Sequence, residues 1–295
     1  MQYLQKERAL SSHTVRAYES DLESFADWLG QNLDCTTTDQ LEKLSLAQIR
    51  SYWAHRRANG LSQQSMRRGQ SSLRTLIKFA RRRKIIEKNP VEGMDSPRRK
   101  RPLPKALSYD DVNMMMNVPP AETLQGKRDR AILELLYGSG LRISEVATIL
   151  VNNLDLTNQF ARVVGKGNKE RIVPLTPTCC RAISTYLSCR QSPQSENTDR
   201  NFLFLNRFGK PITTRSIARM IDKYARELAL MMNITPHQFR HSFATHLLNN
   251  GADIRAVQEM LGHESLSTTQ IYTRISKDKL LNTYKNTHPR SGGKV

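Results

Sequence analysis

Thr235-Pro236 precedes His237, Gln238, Phe239, Arg240 and His241, which sets imidazoles and a guanidinium at helical spacing. Pro is tolerated in the first turn of a helix and Thr can cap its free amides, so the dipeptide marks a helix start. Residues three or four apart share a helix face, which lets His237 and Arg240 address one anionic group. Taken alone, the same pair is also an ordinary surface arrangement. His237 and His241 have the spacing of a zinc-binding metalloprotease helix, but that motif requires Glu directly after the first His, and Gln238 stands there. Further on, His263 follows Gly262, and Tyr272 lies nine residues beyond His263.

Two more cations stand upstream. Arg142 belongs to Gly138-Ser139-Gly140-Leu141-Arg142-Ile143-Ser144-Glu145, and Lys166 to Gly165-Lys166-Gly167-Asn168-Lys169-Glu170. The second stretch is no phosphate-binding Walker loop, because it lacks the earlier Gly and the Ser or Thr after Lys. A tyrosine with a pKa of about 10 is only about one part in a thousand ionised at pH 7, a deficit of roughly 4 kcal/mol, so a tyrosine nucleophile needs an acceptor for its proton. Attack on a phosphodiester also builds charge on the non-bridging oxygens, and without a metal fixed cations must meet it. Arg142 and Arg240 suit that task because guanidinium forks match phosphate oxygens bidentately.

These side chains need elements to hold them. Ala131, Ile132, Leu133, Leu135, Leu136 and Tyr137 form an apolar segment that, with its charged lead-in, is long enough for a helix ending at Gly138 and Gly140. Phe160 to Val164 and Arg171 to Leu175 are strand-like and flank the Lys-rich stretch, which predicts a β-hairpin. Helical patterns resume near Arg215 and run to about Tyr284. Upstream, Val15, Tyr18, Leu22, Phe25 and Leu29 recur at threes and fours after the capping residues Ser11 and Ser12. Met66, Gly69, Leu73, Leu76, Ile77 and Ala80 repeat the pattern, and Arg67, Arg74, Lys78 and Arg81 share another face of that helix. With Arg68, these four are the candidate DNA contacts.

The charge pattern supports a polyanionic partner. Forty-six Lys and Arg against 27 Asp and Glu leave a formal charge of +19, and such a surplus favours nucleic acid or an anionic membrane surface. From Leu44 to Ile86 there are eleven Lys and Arg and no acidic residue, whereas solvated faces mix signs. No run approaches the roughly 20 apolar residues of a membrane span. Cys35, Cys179, Cys180 and Cys189 follow no zinc spacing, and no apolar signal segment begins the chain, so a soluble cytoplasmic setting is expected. Asn89-Pro90 stops the helical pattern, and 96–105 combines three prolines with five basic residues as an extended linker. The expected division is a helical core DNA-binding domain over 1–95, the linker over 96–105, and a catalytic domain with its tail over 106–295.

Arg142, Lys166, His237, Arg240, His263 and Tyr272 occur in the order and approximate spacing of the tyrosine recombinase active site. The chain resembles the tyrosine recombinase (phage integrase) family over nearly its whole length, most strongly over 137–145, 165–171, 237–248 and 261–273. Within the family it is most similar to the bacterial Xer recombinases of the XerC type. The resemblance implies a mainly α fold with a small β-sheet, in which a helical core-binding domain joins an α+β catalytic domain. It implies metal- and ATP-independent strand exchange, no cofactor, and Tyr272 as nucleophile forming a 3′-phosphotyrosyl bond. It gives Lys166 the protonation of the departing 5′ oxygen; spacing alone leaves Lys169 as a competitor. His263 would donate to the phosphate, His237 would assist proton transfer at Tyr272, and Glu145 reads as a carboxylate orienting the cations.

The resemblance further implies a double-stranded recombination site, a second XerD-like recombinase in a tetramer on DNA, a division-site DNA translocase as a partner, and resolution of chromosome or plasmid dimers. A phage or mobile-element integrase, a type IB topoisomerase and a non-catalytic DNA-binding protein of the same fold are the rival readings. Leu280, Leu281 and Tyr284 share one helical face, which predicts burial in an adjacent subunit, with docking on their own domain as the alternative.

Overall fold

A computed structural model of the chain describes residues 12–33, 44–94, 106–165, 170–190, 201–228, 234–262 and 274–291. The chain divides into two compact units, Met1–Lys100 and Arg101–Val295. The basic Pro-rich stretch 96–105 lies outside the described residues.

The first unit is helical: α1 (Ser12–Leu33), α2 (Leu46–Ala58) and α3 (Gln63–Arg82). Ser45 opens α2 with a reciprocal cap, its Oγ accepting from Gln48 N at 3.2 Å while Gln48 Oε1 accepts from Ser45 N at 2.8 Å. Ser62 caps α3 with a one-way bond, its Oγ accepting from Ser65 N at 3.2 Å. The expected apolar stripes turn inward, with Val15, Phe25 and Leu29 of α1 and Leu73, Ile77 and Ala80 of α3 buried. Phe25, Tyr52 and Trp53 form an edge-on aromatic chain, with ring centroids 4.9 and 4.7 Å apart. Gly69 has a steric task here: a Cβ would lie 2.7 Å from Trp53 Cη2, so only glycine lets α3 approach the indole this closely.

The second unit contains α4 (Tyr109–Asn117), α5 (Leu124–Gly138), α6 (Ile143–Thr148), a 3₁₀ turn (Val151–Asn153), β1 (Leu154–Asp155), β2 (Phe160–Val164) and β3 (Glu170–Pro174). After the sheet come α7 (Pro177–Arg190), α8 (Thr214–Glu227), α9 (Pro236–Asn249), α10 (Ile254–Leu261) and α11 (Arg274–Thr287). The strands run antiparallel in the order β1-β2-β3, and β2 and β3 pair in register from Phe160↔Pro174 to Val164↔Glu170. This is the mainly α architecture with a small sheet that the sequence led us to expect.

Helix α5 is the central strut. Every residue from Ala131 to Gly138 is buried, and α7 packs along it with Cys179, Cys180, Ile183 and Tyr186 inward. The sequence reading passed over α7 because cysteines supply part of its apolar stripe. Cys179, Cys180 and Cys189 are free thiols; Cys35 lies outside the described residues. No helix among the described residues is long and apolar enough to cross a membrane.

The tail corrects an expectation. Leu280 and Tyr284 are buried in their own unit, and Tyr284 Oη donates to Gly138 O at 2.5 Å. His288 stacks on Tyr284 at 4.9 Å, and Arg290 pairs at 2.5 Å with the buried carboxylate of Glu134 on α5. The amphipathic face fixed that these residues would bury, but not against which surface, and a complementary aromatic pocket lies in the same chain.

Candidate active site

The site is best built from the C-terminal end of α10. A helix leaves its last carbonyls without intrahelical donors, and its dipole makes that end attractive to cations. Here the left-handed Gly262, at φ 63°, turns the chain out of the helix. Three successive carbonyls at this end each accept from a different arginine. Met260 O accepts from Arg171 Nε at 3.0 Å, Leu261 O from Arg240 Nη2, and Gly262 O from Arg142 Nη2 at 3.1 Å.

Arg142 sits one residue before α6 and Glu145 in its first turn. Glu145 Oε2 accepts from Arg142 N at 2.8 Å and Oε1 from Arg142 Nη1 at 2.9 Å, so one carboxylate caps the helix and braces the guanidinium. The same carboxylate receives a two-pronged bond from Arg171 on β3, Nη1 to Oε1 at 2.7 Å and Nη2 to Oε2 at 2.9 Å. Burial pushes the Glu145 carboxyl up, but the Arg171 pair and the Arg142 bonds outweigh it and hold it below the usual carboxylate range.

Arg240, on α9, is only 9% exposed. Its Nη1 donates to Gly140 O at 2.6 Å, and among the described residues no carboxylate forms an ion pair with it. Burial, with Arg142 close by, pushes its guanidinium down to about 10, so it remains charged at neutral pH. Gly140 makes this contact possible. It adopts φ +59°, and a Cβ there would lie 2.4 Å from Phe243 Cδ1. Two guanidiniums, Arg142 and Arg171, share one carboxylate while the third, Arg240, is held on carbonyls, so the three cations exceed the one anion by two charges in fixed geometry. Such a centre is prepared for an anion with two or more acceptor oxygens.

Of the expected catalytic residues, the structure brings Arg142 and Arg240 together on this carbonyl comb. Arg142 is 31% exposed, which leaves it open toward a ligand. His237 stands exposed in the first turn of α9, on the same helix as the buried Arg240. That start follows the Thr235-Pro236 signal, with Thr235 N donating to Gln238 Oε1 at 2.8 Å. Lys166, its competitor Lys169, His263 and Tyr272 lie outside the described residues. The paired ends Val164 and Glu170 frame the connection that carries Lys166, and Gly262 immediately precedes His263.

In the first unit, Lys78 and Arg81 are exposed on α3, whereas Arg67 and Arg74 are half-buried. Arg68 forms a two-pronged pair with Asp21 of α1, both contacts at 2.8 Å, and Arg74 Nη2 donates to Met94 O at 2.6 Å. Part of the expected DNA face therefore also ties the unit together. Arg171 is the residue that sequence reasoning missed. In the sequence it opens a strand and closes the 165–171 stretch without a role of its own, and its inward alternation with Val173, an arginine on the core side of a strand, is the available signal.

Residues 105–279 match the phage integrase family, and residues 1–84 match the N-terminal SAM-like domain of phage integrases. Tyrosine recombinase XerD of Staphylococcus saprophyticus subsp. saprophyticus is 39% identical over 291 residues, covering 99% of this chain and 97% of the relative. XerD of Staphylococcus aureus strain Mu50 is 38% identical with the same coverage. The crystal structure of XerA recombinase matches with a TM-score of 0.51 at 28% identity, covering 98% of this chain and 96% of that one. The XerH site-specific recombinase bound to a palindromic difH substrate shares the fold, with a TM-score of 0.72 at 19% identity and coverage of 94% and 81%. The chain belongs to the phage integrase family, the tyrosine recombinases. These curated relatives carry the XerD name, where the motifs had pointed to XerC; the Xer grouping stands, and the branch does not follow from them.

Proposed function

We propose that this chain is a site-specific recombinase that cleaves and rejoins double-stranded DNA through a tyrosine ester. The observation that carries the reading is the pair Arg142 and Arg240, fixed on adjacent carbonyls with a surplus of positive charge, in a chain of the recombinase family. Tyr272 Oη attacks the scissile phosphorus; the P–Oη bond forms as the P–O5′ bond breaks, leaving a 3′-phosphotyrosyl enzyme and a 5′-hydroxyl. His237 assists removal of the tyrosine proton, Lys166 protonates the departing oxygen, and His263 with the two arginines holds the non-bridging oxygens. The ester keeps the phosphodiester's energy, so the reverse attack by a 5′-hydroxyl rejoins the strand without ATP, and no metal is required by this donor set.

The assignment that goes with this reading is a core-binding domain over 1–95, a linker over 96–105 and a catalytic domain over 106–295. Arg67, Arg68, Arg74, Lys78 and Arg81 contribute phosphate contacts. With the resemblance to the Xer recombinases goes the further reading that the chain pairs with a second recombinase of the same type, four protomers on two sites, resolving chromosome or plasmid dimers under a division-site translocase in the cytoplasm.

The test is a half-site DNA nicked opposite the scissile phosphate and incubated with purified protein in excess EDTA. A covalent adduct is expected from the parent and from Tyr284→Phe, whose hydroxyl is committed to Gly138 O inside the core. Tyr272→Phe is expected to bind DNA and form none. Adduct from Tyr272→Phe, or chemistry that returns only with magnesium, overturns the reading.

A further inference from the structure

We infer that Arg171 is a positioning residue that sets the catalytic arginine Arg142 and joins β3, the start of α6 and the end of α10. The inference rests on the recombinase reading and goes beyond it. Arg171 is 6% exposed, and all three kinds of guanidinium nitrogen are engaged: Nη1 and Nη2 on the Glu145 carboxylate and Nε on Met260 O. Because Glu145 also binds Arg142 through N and Nη1, the orientation of that carboxylate dictates where the Arg142 fork lies. Without Arg171 the Glu145 carboxylate would lose one of the two guanidiniums that fix its direction.

The three partners of Arg171 matter for what they carry. Its own strand, β3, begins at Glu170, four residues after Lys166 in the sequence. Glu145 belongs to the helix start that holds Arg142, and Met260 stands three residues before His263. The packing is close: a Cβ on Gly262 would meet Arg171 Cδ, Nε and Cζ at 3.1, 3.2 and 3.3 Å. The strand that follows Lys166 in the sequence, the helix start that holds Arg142 and the helix end that precedes His263 thus share one buried guanidinium.

Arg171→Lys decides whether the fork or only its charge matters. Lysine keeps a cation against Glu145 but loses the planar two-pronged geometry and the bond to Met260 O. Half-site affinity is expected to stay within about threefold of the parent, while single-turnover adduct formation at saturating DNA slows roughly 10- to 100-fold, as for other residues that orient a catalytic group. A second substrate, with the scissile phosphate replaced by a neutral methylphosphonate, reports whether the loss runs through Arg142. With the charged oxygen absent, the parent-to-variant rate ratio is expected to shrink several-fold, which a general loss of stability does not produce. Parent-like rates for Arg171→Lys, or an equal ratio on both substrates, overturn the inference. If Arg171→Gln fails to fold, the Lys variant still decides. Failure of the parent itself to form adduct counts against the recombinase reading, not against this one.

Discussion

The arginines of α3 and those around α10 belong to the same chain and are held in opposite ways. On α3 the cations line a helix face with Lys78 and Arg81 open to solvent, and the surrounding stretch 44–86 contains no acid. Around α10, Arg240 and Arg171 are buried, the first donating to carbonyls and the second to a carbonyl and the carboxylate it shares with Arg142. The first arrangement attracts a polyanion by displacing its counterions and is indifferent to small changes in geometry. The second has already met the cost of desolvation during folding and offers charge at fixed points. Affinity and chemistry are therefore expected to separate under mutation, and four experiments press on that division.

Arg240→Gln should give the largest effect, slowing adduct formation by about 100- to 1000-fold, the usual cost of losing one fixed donor to a developing oxyanion. Half-site binding in the same variant should change little; a matching collapse of affinity would erase the distinction between the two sets. Gly140→Ala attacks the same arginine through the backbone. A methyl group 2.4 Å from Phe243 at φ +59° should destabilise the catalytic unit by about 3 kcal/mol in thermal unfolding.

Glu145 supplies a pH test. Its carboxyl titrates below its unfolded value of 4.5. Its contribution to stability is thus fully present above about pH 4.5 and lost as pH falls through the depressed value. The gap in melting temperature between the parent and Glu145→Gln should be widest near neutrality and close below that range. The smallest effects belong to Lys78→Ala and Arg81→Ala. Each should reduce the salt slope of DNA binding by about 0.9 while leaving the single-turnover rate at saturation unchanged.

Much of this division could be read from residue order, and the unread parts have physical causes. Period-three-and-four apolar spacing located α1 and α3, a continuous apolar segment with its charged lead-in located α5, and two β-rich runs located the β2–β3 hairpin, because each pattern is local. Arg142, Arg240 and Glu145 could be singled out by their chemistry and family spacing. The inward alternation of β3 marks Arg171 as buried, but its role depends on Glu145, 26 residues earlier, and on a carbonyl 89 residues later. The tail failed for a similar reason. Leu280 and Tyr284 announce a buried face, but the Gly138 carbonyl and Glu134 that receive the segment are contributed by α5, far upstream.

The comb of carbonyls at the end of α10 also constrains how this protein can vary. Each helical residue advances the chain about 1.5 Å and turns it by about 100°. One residue added or removed between Asp253 and Met260 would swing the acceptors of Met260, Leu261 and Gly262 away from Arg171, Arg240 and Arg142 together. The helix behaves as a key cut to a single length, with three teeth on consecutive notches. Point substitutions on its solvent side, such as at Arg255, leave the teeth in place, whereas a one-residue change of length misses all three locks at once.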